Sequence, residues 1–317
     1  MVDTRRVVLA LASACIGLAL SVAPAAARTA TLGCGAVVTH SVRLATDVQC
    51  PFGAPDGLLV GADGITIDLN GHQVQAAFGS GGGTGNGIQN DGHADVTIRN
   101  GSISGFADGV LLNSASDNRL LKLSPFGLTN AIEIDGGAHN LVWASSVFGR
   151  GAGILVDGSD HAQLIGNTAG GLFGAISLQA SYGVVTQNVM NNQPAVGVTV
   201  SGSFNRIAHN VVIGGFVGVE VTSGQANRVA RNWVFNTGGD GVLTDAQPTD
   251  TAINRNLVSG STADGIDVKG ASTAIRFNTA NDNGDYGIEA VPGVTASGNK
   301  ASGNGNPMQC LNVTCTP

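Results

Sequence analysis

The sequence predicts an all-β protein, a single-stranded right-handed parallel β-helix (solenoid) of about ten to twelve coils with disulfide-stapled ends. Three observations lead there. Across residues 86–306 one phrase recurs: a small residue, two apolar residues separated by a polar one, a Gly or Ser turn, an apolar pair and an Asn. It opens at Gly87, Gly109, Ala131, Gly153, Ala175, Gly197, Gly218, Gly241, Gly265 and Gly287, in steps of 22, 22, 22, 22, 22, 21, 23, 24 and 22 residues. Such a period marks units that bury their apolar faces only by stacking on one another. The units are rich in Gly, Val, Ile and Thr and poor in helix formers, which excludes helical repeats. Finally, Asn167, Asn188, Asn210, Asn232, Asn256, Asn278 and Asn299 recur at nearly the same step. Asn tolerates left-handed backbone and can bond to like neighbours above and below, so a structural ladder at a tight turn is expected.

In chain order, residues 1–27 read as an export signal. Arg5 and Arg6 precede an apolar run, which ends in Ala25-Ala26-Ala27. Removing it changes the formal charge from -7 to -8 and takes Cys15 away. The remaining Cys34, Cys50, Cys310 and Cys315 form an even set, and two disulfides suit an exported chain. Three pairings are possible; the clustering at the two ends favours Cys34 with Cys50 and Cys310 with Cys315. The expected organisation is a signal peptide (1–27), an N-terminal cap (28–57), the β-helix (58–306) and a C-terminal disulfide cap (307–317). No later apolar span is long enough to cross a membrane, and a secreted or periplasmic monomer is expected.

Within each phrase, period-two alternation such as Val110/Leu112, Ile132/Ile134, Ile176/Leu178 and Val198/Val200 predicts a short strand with one face inward. A second apolar stack follows at Ile98, Leu120, Val142, Leu164, Ile207, Val229, Ile253 and Ile275. Two or three strands per coil, superposed, make the β-helix. The right hand follows from the handedness of parallel connections. Ile65-Thr66-Ile67-Asp68-Leu69-Asn70-Gly71-His72 matches residues 96–101 about 30 positions on, the excess being a glycine-rich loop at residues 78–85.

With Cys34-Gly35, Cys50-Pro51, the run from Gly64 to His72, the coils, and the closing Gly303-Asn304-Gly305-Asn306-Pro307, the mature chain resembles the secreted bacterial right-handed parallel β-helix repeat proteins. These include pectate lyases, polygalacturonases, uronan epimerases, phage tailspikes and the accessory protein for the copper site of nitrous oxide reductase. The resemblance implies a fold and a polysaccharide or cell-envelope glycan as partner, not one activity. Neither the Asp-Pro-His-Asp signature of mannuronan epimerases nor the Gly-His-Gly and Arg-Ile-Lys elements of polygalacturonases is present.

Equivalent positions of successive coils lie about 4.8 Å apart, so outward columns can be read from the register. The position four after the opening residue reads Asp91, Asn113, Asp135, Asp157, Gln179 and Ser201. The position eight after reads Asp95, Asp117, His139, His161, Gly183 and Asn205, and Glu133 stands two after Ala131. Stacked carboxylates raise one another's pKa, so Asp135 and Asp157 can share a proton, and imidazoles serve as acid or base near neutral pH. Asp135, Asp157, His139 and His161 are therefore the catalytic candidates for a lyase, epimerase or glycoside hydrolase. Glu133, Arg119 and Arg150 are substrate-binding candidates. Asp91, Asn113, Asp135 and Asp157 offer calcium a line of oxygens. The acidic balance argues against nucleic acid. A solvated acidic face on a non-catalytic binding solenoid is the competing expectation. Asp108, Asp240 and Asp264, each before a Gly, read as turn formers, and Phe126 with Phe148 as a stacked core pair.

Overall fold

The computed structural model describes residues 27–77, 84–191 and 195–317. The expected export signal and most of the glycine-rich loop lie outside the described residues. The chain winds into a right-handed β-solenoid of about twelve turns, every strand pairing in parallel with its counterpart one coil away. Each coil contributes three strands, hence three walls and three corners. The first wall holds 13 strands, among them Asp108–Asn113, Ile132–Asp135, Ala152–Asp157, Gly174–Gln179 and Ile266–Val268. The second and third walls are joined because Thr97–Phe106 and Arg119–Gly127 run continuously round the second corner.

Period-two alternation sets what each wall buries. Val110, Leu112, Ile132, Ile134, Ile154 and Val156 line the inside of the first wall with no exposed surface, and Leu120, Val142, Leu164, Ile207 and Val229 do the same for the second. The third wall contributes Val147, Ala169, Met190, Val212, Val234 and Val258. A core one side chain deep from each wall leaves little room, which is why the phrase opens on Gly or Ala. A Cβ on Gly241 would stand 2.2 Å from Val258 Cγ1 and 2.6 Å from the Gly265 carbonyl oxygen.

The Asn series is a buried amide ladder at the second corner. Asn210 Oδ1 accepts from the N–H and Nδ2 of Asn188, and Asn210 Nδ2 donates to Val185 O and Asn232 Oδ1, all at 2.9–3.1 Å. The left-handed backbone, expected on the Asn, sits on the residue before it: Gln187, His209, Arg231, Arg255 and Phe277 have φ of 58°, 58°, 56°, 55° and 57°. Turning one residue earlier points each Asn side chain inward, where its amide replaces the hydrogen bonds the corner backbone loses. A second, interrupted ladder at the first corner joins Asn118 to Asn140 and Asn205 to Asn227.

Two assignments of side change, one from core to surface and one from surface to core. Phe126 and Phe148 do stack, with centroids 5.9 Å apart, yet they lie on the outside of the third wall, because Val147 and Gly149 take the inward positions of that strand. In the column of Asp95, Asp117, His139 and His161, Gly183 and Asn205 prove to be inward. The turn after Gln179 is one residue short, so Tyr182 and Phe204 occupy the outward places. Both disulfides form as expected. Cys34–Cys50 ties the turn before the strand Ala36–Val38 to the end of the strand Val48–Cys50, and Cys310–Cys315 joins the last strands of the first and third walls.

Candidate functional site

Of the acidic side chains that stand on strands, the first wall carries nearly all: Asp91, Asp108, Glu133, Asp135, Asp157, Glu220, Asp267 and Glu289. Its register aligns Asn113 with Asp91, Asp135 with Asn113, and Asp157 with Asp135, each pair on adjacent strands. All four are exposed. Asp91 is already engaged by amides: Asn113 Nδ2 donates to it at 3.0 Å and Gln89 Nε2 at 2.6 Å. Glu133 accepts from Asn130 Nδ2 at 2.9 Å.

Across the first corner, Asp95, Asp117, Arg119 and His139 line a shallow groove of about 420 Å³ together with Leu141 and Gln163. His139 Nδ1 stands 3.8 Å from Asp117 Oδ1. His139, His161, Tyr182 and Phe204 form one stack of rings with centroids 4.8, 4.9 and 5.0 Å apart. Stacking covers the ring faces and turns the edges outward, so this column offers imidazole nitrogens and a phenol hydroxyl, not a flat platform. Arg119 thus joins the histidine edge of the site. Arg150 does not: it sits at the third corner, its N–H bonded to Gly127 O.

The three Asp residues expected as turn formers stand instead where the chain enters the first wall, Asp108 as the first residue of its strand. At the third corner each accepts the N–H one coil on: Asn130 N–H bonds Asp108 Oδ1 at 2.8 Å, Asp264 N–H bonds Asp240 Oδ1 at 3.0 Å, and Tyr286 N–H bonds Asp264 Oδ1 at 2.8 Å. This fixes the carboxylates against the edge of the first wall, where two of them meet a Glu of the next coil. Asp108 faces Glu133 and Asp264 faces Glu289, the partners being 25 residues apart in each case. Burial raises Asp108 to about 6; the Asn130 N–H opposes this and the Glu133 charge adds to it. Burial likewise raises Asp264, only 7% exposed, to about 7; the Tyr286 N–H opposes this, while Glu289 and then Asp240 add to it. Asp267, on the strand aligned with Glu289, is raised mainly by burial, with Lys269 Nζ 3.5 Å away as a partial counterweight. Glu220 is raised by burial and then by Asp245.

Carboxylate oxygens of Asp240, Asp264 and Asp267 all lie within 4.8 Å of one another. Among the described residues this is the set of three acids able to converge on one cation. Sequence reading passed over it because Asp before Gly is a common turn. The available signal was the 25-residue offset, one coil plus three residues, which puts a corner Asp beside a wall Glu.

No curated protein sequence matches the chain. Among solved structures, the tailspike receptor-binding protein of bacteriophage Det7 superposes with a TM-score of 0.62 at 13% identity, over 91% of this chain and 71% of that one. The A-module of the Azotobacter vinelandii mannuronan C-5 epimerase AlgE4 gives 0.55 at 13% identity, over 88% and 91%. The Dettilon tailspike protein gp208 gives 0.53 at 13% identity over 87% of this chain, which spans 61% of that protein. At these identities the likeness is one of fold. The family model described as a right handed beta helix region matches residues 86–234 and 152–305, most of the repeat array, and the chain belongs to that family.

Proposed function

We propose that this protein is an exported β-helix that binds and acts on a polysaccharide along its first wall by acid–base chemistry. One observation carries the reading. The wall presents two carboxylate pairs of the same register, Asp108 with Glu133 and Asp264 with Glu289, and in each the Asp is held up towards neutral pH. A carboxyl group that keeps its proton near neutrality beside an ionised one suits proton delivery to a glycosidic oxygen or proton exchange at a sugar carbon. In this reading Asp264 bears the proton, with Glu289 and Asp267 beside it. The tailspike and mannuronan epimerase likenesses support a glycan as the partner class, and the two disulfides suit an oxidising compartment. Calcium, expected at Asp91, Asn113, Asp135 and Asp157, has a second candidate cluster at Asp240, Asp264 and Asp267, whose carboxylate oxygens lie within 4.8 Å of one another.

The groove at the first corner favours a second assignment on the same wall, with Asp135, Asp157, His139 and His161 as the reacting groups and Glu133 and Arg119 holding the substrate. A panel of uronans and neutral glycans, with and without calcium, discriminates. Turnover abolished by Asp264→Asn but retained in Asp135→Asn, Asp157→Asn and His139→Gln assigns the reaction to the late cluster. The reverse pattern assigns it to the first corner. Binding without turnover across the whole panel would make the protein a non-catalytic glycan-binding solenoid.

A further inference from the structure

A different face, turned away from the first wall, carries a basic strip. On the second wall and second corner of neighbouring coils stand Arg206, Arg228, His209, Arg231, Arg255 and Arg276, all exposed. The five arginines are a third of the 15 lysines and arginines of a chain whose net charge is -7, so this is a concentration and not an average. Arg206 and Arg228 are aligned on adjacent strands, and Arg231 and Arg255 occupy the same corner position one coil apart. Like charges at one-coil spacing repel, and among the described residues none of these arginines makes a salt bridge. On these stretches of wall and corner the nearest acid in sequence is Asp250, at the far edge by the first corner.

The strip is shaped as well as charged. His209 and Arg231, with Asn210 and Val211, border a shallow depression of about 260 Å³ whose fifth side is the exposed ring of Trp233. At the far end the Arg255 guanidinium lies 5.1 Å from the Phe277 ring centroid. An aromatic wall beside a guanidinium fits a ligand with an apolar ring face and an anionic substituent, and Arg pairs with carboxylate through two parallel hydrogen bonds.

We infer that this strip is a second binding face, for a carboxylate-bearing glycan strand, with Arg231 and His209 gripping a sugar carboxylate, Trp233 packing on the ring, and the remaining arginines following the chain along the solenoid axis. The two disulfides favour a glycan over a nucleic acid as the polyanion, because they suit the oxidising compartments in which such glycans are met. The inference does not depend on turnover at the first wall.

Affinity for soluble polygalacturonate, a neutral glucan, a single-stranded oligonucleotide and phosphatidylglycerol vesicles tests it, with the full folded chain. The polyuronate is expected to bind best, with an affinity that falls as salt rises. Arg231→Asn with Arg255→Asn, and separately Trp233→Ala, should each weaken binding about tenfold or more. Asn suits the corner, since Asn70 and Asn100 occupy left-handed positions there with φ of 53° and 61°. Arg206→Gln with Arg228→Gln, on the flat wall, provides a pair free of any backbone demand. Turnover at saturating substrate, where the first wall supplies it, is expected to persist in the Arg206→Gln, Arg228→Gln pair while affinity falls, which separates failure of this face from failure of the first wall. Unchanged affinity in both arginine pairs, equal retention of the neutral glucan, or tighter binding of the oligonucleotide or vesicles would overturn the inference.

Discussion

Replacing Asp264 by Asn removes a carboxyl group that the fold keeps protonated far above its ordinary range, while preserving its shape and the oxygen that accepts the Tyr286 N–H. A carboxyl whose folded pKa, about 7, exceeds its unfolded value of 3.8 binds its proton more tightly in the native state. By linkage its contribution to stability is therefore lost as pH rises from about 4 through about 7, the opposite of a salt-bridged Asp. The separation of roughly 3 pH units, at about 1.4 kcal/mol each, bounds the loss at of order 4 kcal/mol. Asp264→Asn should be more stable than the parent by about 2–4 kcal/mol at pH 8, and the two should converge below pH 4. Denaturant midpoints followed by far-ultraviolet circular dichroism at pH 4, 6 and 8 measure this. Parallel pH profiles, or a variant less stable at pH 8, would refute the burial-and-repulsion account of the cluster.

The other predictions concern the frame that holds the site. Asn210→Ala removes the acceptor of the Asn188 N–H, one of the two acceptors of Asn188 Nδ2 and the side-chain donor to Val185 O, all buried, and should cost at least about 3 kcal/mol; a loss below 1 kcal/mol would show the ladder to be dispensable. Gly241→Ala drives a methyl group against Val258 and the Gly265 carbonyl and should cost about 1–3 kcal/mol, although Ala131 and Ala175 occupy the same place in coils that fit them. Cys34→Ser with Cys50→Ser opens a link spanning 16 residues and should cost about 3 kcal/mol. Opening Cys310–Cys315, which spans 5, should cost about 2 kcal/mol. Hydrogen exchange should then quicken in the terminal coil nearest the lost link and stay slow across residues 152–200; uniform loss of protection would contradict a coil-by-coil solenoid.

The sequence by itself determined the solenoid, its period, its inward residues on two walls and its Asn ladder, while it only favoured, among three pairings, the disulfides that form. Each of these is a local pattern repeated until chance is excluded, and a structure built by stacking identical units turns sequence period directly into spatial register. Exposed columns were equally legible while the period held, and Asp91, Asn113, Asp135 and Asp157 align as expected. Legibility failed where the period slipped or where a corner intervened. One missing residue after Gln179 exchanged Gly183 and Asn205 for Tyr182 and Phe204, and so hid a stack of four rings. Whether a coil held two strands or three was left open, and with it the outward placing of Phe148 and Trp233, because a strand of about three residues is too short to show its own alternation. Which charges meet was decided only by the tertiary structure. Asp264 and Glu289 lie on different coils and different sides of a corner, and their pKa values depend on burial, a quantity that no column of residue types contains.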